Sequence, residues 1–150
     1  MEALPPESES LMYFGMKETC HRVGMTYETL KFYCRQGLVP NVRRDENNHR
    51  LFDKRNIAWL TGLQYLRKCG MSIREMHQYM LYCLEGPSSI PERKRMLGTV
   101  SERLKHQEQQ IQECIQYIND KQHYYQNVQD GKERYTSNLT AHTSTVHDQA

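Results

Sequence analysis

A mainly α-helical fold is predicted: a winged helix-turn-helix head with a two-stranded wing, followed by one long coiled-coil helix suited to pair two chains. Three observations predict it. Gly24 and Gly37 punctuate two short helical segments separated by a tight turn. A basic stretch built around Asp45-Glu46-Asn47-Asn48 follows directly, as a hairpin would. From Leu97 to Tyr125 an apolar residue recurs at every seventh position in a background of Gln, Glu, Lys and Arg.

Composition bounds the reading. The chain has 150 residues, of which 37% are hydrophobic, so only part of it packs a core and the rest is solvated helix or tail. No run of roughly 18 apolar residues exists, so no membrane span and no membrane partner are expected. The start, MEALPPESES, lacks the basic-then-apolar pattern of a secretory signal, and a cytoplasmic location is expected. The five cysteines are scattered with no CxxC spacing. That excludes a disulfide framework and a structural zinc site, and neither metal nor cofactor is expected. No Gly-rich phosphate loop, paired catalytic carboxylates or Ser/His/Asp arrangement can be argued, so the chain is not read as an enzyme.

Net charge is only +2, but residues 13–55 carry nine Lys/Arg against five Asp/Glu, while residues 1–12 carry three acids and no base. The basic excess is confined to the segment of the expected head, which suits a polyanion without demanding one. The expected organisation is a disordered N-terminus (1–12), a head with linker helices (13–86), a pairing helix (87–128) and a disordered polar tail (129–150).

Each element has a local cause. Lys17–Val23 is a helix stopped by Gly24. Thr26 caps the next helix, with Glu28 in its first turn, and this helix runs to Gly37. Val39 and Val42 on one side and Leu51 and Phe52 on the other flank the Asp-Glu-Asn-Asn turn, where Asn tolerates left-handed backbone. Asp53 caps a third helix with Ile57, Leu60, Leu63 and Leu66 on one face. Ser72-Ile-Arg-Glu75 is a capping box that opens a fourth helix, with Ile73, Met76, Met80 and Leu84 at helical spacing. Ser89-Ile-Pro-Glu92 is a second capping box, with Pro91 harmless in the first turn. The long helix then carries Leu97, Leu104, Ile111, Ile118 and Tyr125, with Val100, Ile115 and Val128 partly filling a second seam. So polar a helix cannot bury its stripe on one small head, so it is expected to pair with a second copy. A solitary surface helix is the alternative.

Several stretches resemble the MerR family of bacterial transcription regulators. They are Met16-Lys-Glu with Val23-Gly24, Thr29-Leu-Lys-Phe-Tyr33, Gln36-Gly-Leu-Val-Pro40 and Arg44-Asp-Glu-Asn-Asn-His-Arg-Leu-Phe52. Leu66-Arg-Lys-Cys-Gly-Met-Ser72 resembles the family's joint between its third and fourth helices. The resemblance covers roughly residues 13–127. It implies a homodimer joined by an antiparallel coiled coil, with Leu97, Leu104, Ile111, Ile115, Ile118 and Tyr125 at the interface. It also implies binding of double-stranded promoter DNA at a near-palindromic site, with RNA polymerase as the functional partner. The spacer DNA is distorted, an indirect readout in which the protein stabilises a deformed duplex.

Carried over residue by residue, Tyr27, Thr29, Lys31 and Tyr33 fall on the recognition helix, and Lys17 joins them on the DNA-facing side. Arg43, Arg44, His49 and Arg50 fall on the wing. Lys31 stands where the family usually has Arg, which keeps the charge but loses the bidentate fork. Core packing is the alternative for Tyr33. For an effector the resemblance points to the joint of the third and fourth helices, where Tyr65 and Cys69 lie four residues apart. The alternative function is a coiled-coil scaffold or architectural DNA-binding protein without effector sensing.

Overall fold

The computed structural model describes residues 12–140. The expected disordered N-terminus lies outside the described residues except for Met12, as do residues 141–150 of the expected tail. The elements in order are α1 (Met16–Val23), α2 (Tyr27–Arg35), β1 (Arg43–Arg44), β2 (Arg50–Leu51), α3 (Lys54–Lys68), α4 (Ile73–Glu85), a 3-10 turn (Pro87–Ser89) and α5 (Ile90–Gln129). The described residues fall into two compact units, 12–101 and 102–140.

In the first unit, α1 and α2 form the helix-turn-helix. Gly24 ends α1 at φ 75°, ψ 41°, a left-handed conformation that costs glycine little, and its N–H donates to Cys20 O at 2.8 Å. Thr26 Oγ1 then accepts from Thr29 N at 3.1 Å and starts α2. The β1 and β2 strands pair antiparallel, with Arg43 opposite Leu51 and Arg44 opposite Arg50. Phe14 extends this hairpin through two backbone bonds with Phe52, 2.7 and 2.8 Å, and so ties the wing to the segment that enters α1.

Asp53 and Asn56 form a reciprocal capping box at the start of α3. The buried Asn56 amide also donates to Pro40 O at 3.0 Å, and Trp59 Nε1 donates to Leu38 O at 2.7 Å. These two bonds satisfy carbonyls of the α2–β1 connection that packing removes from water. Leu30, Tyr33, Leu38, Phe52, Leu60, Leu63, Met71 and Met76 fill the core, and α5 adds Val100 to it.

Three expectations are corrected here. Ser89 does not cap α5. Its buried hydroxyl lies within bonding reach of the Tyr82 and Gly86 carbonyls and accepts from Arg93 Nε at 3.1 Å. The reason is the 3-10 turn at Pro87, which folds Ser89 back under the end of α4, where unpaired carbonyls need donors. Val100 does not join a seam between chains, because with Met96 it packs against the head. The first unit therefore runs to Ser101, past the expected limit at 86.

In the second unit α5 continues to Gln129, with Ile111, Ile115, Ile118 and Tyr125 all exposed. Residues 130–140 turn back locally, and the Tyr124 hydroxyl accepts from Thr136 N at 2.7 Å. Among the described residues no helix is long and apolar enough to cross a membrane.

Candidate nucleic-acid interface

The start of α1, the start of α2 and the wing enclose a groove of about 640 Å³, lined by Lys17, Tyr27, Arg44, His49 and Arg50 among others. The structure thus brings five of the sequence-derived site residues to one concavity. Gly15 precedes α1 without a side-chain cap, so the first-turn amides of that helix keep their donors for a ligand.

The register of the wing gives the groove its charge. Arg44 and Arg50 are direct cross-strand neighbours, and like charges in that position repel. An anion between or beside them removes the penalty. Arg44 also holds the wing tip, because its Nη1 donates to Asn48 O at 2.7 Å. Asn48 takes positive φ, 64°. Asp45 closes the turn. Its Oδ1 accepts from Asn47 N at 2.9 Å and from His49 N at 2.8 Å, and its Oδ2 lies 3.4 Å from His49 Nδ1. These bonds, the backbone bond from His49 foremost, hold the Asp45 carboxyl below the usual carboxylate range. Arg43 lies with its guanidinium carbon 5.5 Å from the Tyr13 ring centroid, a contact that the sequence did not signal.

On α2, Tyr27 is exposed and Lys31 is half-buried. Thr29 Oγ1 accepts from Thr26 Oγ1 at 2.8 Å, so its hydroxyl belongs to the helix start. Tyr33 is corrected: the ring is buried in the core, and burial pushes its phenol up. Its neighbour Phe32 is exposed. One residue step along a helix turns a side chain by about 100°, and the sequence offered two aromatic rings with one core position to fill.

Cys34, also on α2, packs against the core within the field of Arg50 and Arg44. Burial outweighs those cations and pushes its thiol up, as it does for Cys20. Cys69 and Tyr65 are not brought into one site. Cys69 packs against the core at the end of α3, whereas Tyr65 is exposed with Lys68 Nζ 5.5 Å from its ring centroid. Among the described residues no group of three or more His, Cys, Asp or Glu could hold a metal ion.

Residues 14–83 match the family described as MerR HTH family regulatory protein. An HTH-type transcriptional regulator from Haemophilus influenzae is 29% identical over 115 residues, which span 77% of this chain and 85% of that one. The regulator AdhR of Bacillus subtilis is 31% identical over 90 residues, 60% of this chain and 64% of that one. Among solved structures, HiNmlR, described as a MerR family regulator lacking the sensor domain and bound to promoter DNA, superposes with a TM-score of 0.67 at 28% identity. That match covers 79% of this chain and 94% of HiNmlR. A second regulator structure, from Listeria monocytogenes, gives 0.69 at 26% identity over 75% of this chain and 86% of that one.

Proposed function

The chain belongs to the MerR family of helix-turn-helix regulatory proteins, and from that premise we propose that it binds promoter DNA as a homodimer and sets transcription by deforming the duplex. It is a transcription regulator rather than an enzyme, as its relatives are. The carrying observation is the groove in which the opposed Arg44 and Arg50 meet Lys17, Tyr27 and the open amides of α1. Its size and charge suit a phosphodiester backbone, whose contacts position the head without reading sequence.

The homodimer rests on the exposed stripe of α5. Ile111, Ile115, Ile118 and Tyr125 are each about half exposed, at 58, 47, 53 and 51%, and a second copy covers them in an antiparallel coiled coil. Leu97 and Leu104 extend the stripe. Two heads on one rigid dimer fit a near-palindromic site, and a dimer whose head spacing differs from that of relaxed DNA binds by bending it. RNA polymerase then engages the altered spacer, which places the protein at the chromosome in the cytoplasm. An effector of electrophilic character acts within this proposal at Cys69, where an adduct overfills a packed corner by about 1–3 kcal/mol, the scale of an allosteric coupling.

A mobility-shift assay with the DNA upstream of the protein's own gene tests the reading, followed by circular-permutation gels for bending. Retarded bands with a position-dependent mobility support it. Equal affinity for that DNA and for a scrambled duplex overturns regulation in favour of an architectural protein.

A further inference from the structure

The outward face of α2 holds an apolar ring that the groove does not use. Tyr27, Glu28, Phe32 and Arg35 are exposed and Lys31 is half-buried, whereas Leu30 and Tyr33 are buried on the opposite side. At about 100° per residue these five form one continuous arc, in the order Tyr27, Lys31, Arg35, Glu28, Phe32. Tyr27 stands at the edge that borders the wing groove. Phe32 stands at the other edge, about 140° round. Its ring is 44% exposed, and its aromatic neighbour Tyr33, tilted at 46° and 6.1 Å away, is turned into the core. A phenyl group left half in water forgoes the burial that Leu30 and Tyr33 obtain.

We propose that Phe32 is a specificity-determining residue that packs against the C5-methyl group of a thymine. The inference rests on the DNA-binding reading above and adds base discrimination to it. The cationic side chains Lys31 and Arg35 share the arc, and the Lys17, Arg44 and Arg50 groove adjoins its Tyr27 edge, so the surface around the ring suits a polyanion. Within a major groove the methyl of thymine is the apolar feature that base edges offer, and no other base carries it. Glu28, one turn before Phe32, is an acceptor that suits the amino group of cytosine or adenine on a neighbouring pair.

The test uses the full chain and duplexes selected by it from a random pool. Each thymine of a selected duplex is replaced in turn by deoxyuridine, which lacks only the methyl. Wild-type protein is expected to lose about fourfold in affinity at one position of each half-site, the equivalent of one buried methyl group. Phe32→Ala binds the thymine duplex as weakly as wild type binds the deoxyuridine one, and no longer distinguishes the two. Phe32→Leu restores part of the discrimination and serves in place of Phe32→Ala if that variant fails to fold. Undiminished thymine preference in the variants overturns the proposal. So does a change in oligomeric state with that preference intact, which assigns the ring to a protein interface. If wild type enriches no sequence at all, the DNA-binding reading fails first.

Discussion

Arg44 and Arg50 face each other across a two-residue ladder, an arrangement that folding alone disfavours. Replacing either one by alanine is expected to weaken specific and non-specific DNA binding together and to lower the slope of log affinity against log salt by about one. The two variants part company in thermal melting. Arg50→Ala relieves repulsion and keeps its midpoint, whereas Arg44→Ala also loses the bond to Asn48 O and melts earlier. A salt slope that stays at the wild-type value removes the residue concerned from the phosphate contacts. Asp45 sets a pH limit on the same wing. Its pKa is lowered in the folded state, so its contribution is complete above the ordinary carboxylate range and is lost as pH falls below that range, through the depressed folded value. The protection factors of the Asn47 and His49 amides, taken relative to their intrinsic exchange rates, should therefore be high at neutral pH and fall in acid. Asp45→Asn should lower that protection already at neutral pH.

At the scale of elements, much was legible because the punctuation is local. Gly24, Thr26, Asp53 and Ser72 each act on amides or carbonyls within a few residues, and each does what its sequence neighbourhood implied. Ser89 failed that logic although it opens the same Ser-x-x-Glu pattern as Ser72. What separates them is the carbonyl end of α4 lying above Ser89, which a four-residue window does not contain. Ser89→Ala is accordingly expected to cost roughly 1–3 kcal/mol in urea unfolding, more than loss of an exposed cap. A cost below about 0.5 kcal/mol, the lower end for an N-cap, would return Ser89 to a minor role. The bridge from Phe14 to Phe52 and the burial of Val100 were hidden for the same reason, since both depend on partners far along the chain. On the candidate interface, the basic turn of the wing was legible from its composition. The choice between Phe32 and Tyr33 was not, because both rings are equally apolar by pattern.

For the whole molecule, the heptad stripe and the head core are separate sets of side chains. Ile111 and Ile118 belong to no part of the head core. A double Ile111→Asp, Ile118→Asp variant places charge in the proposed apolar interface, a penalty of several kcal/mol. It should sediment as a monomer at micromolar concentration while keeping a cooperative melt of the head. A variant that remains dimeric shows that α5 is not where the copies meet. DNA affinity is expected to fall steeply in the monomer, because two half-sites are no longer held by one body.

The seating of Met96 and Val100 against the head also fixes where this polypeptide can be cut. Residues 12–86 include every helix and strand of the winged head, yet they leave an uncovered apolar patch where those two side chains sat. Such a fragment should expose hydrophobic surface and aggregate. Extending it to residue 101 restores the cover and should yield a soluble, cooperatively melting domain. Limited proteolysis is expected to respect the same border: the first α5 segment, as part of the head, resists cleavage, and the segment beyond Ser101 admits it in the Ile111→Asp, Ile118→Asp variant.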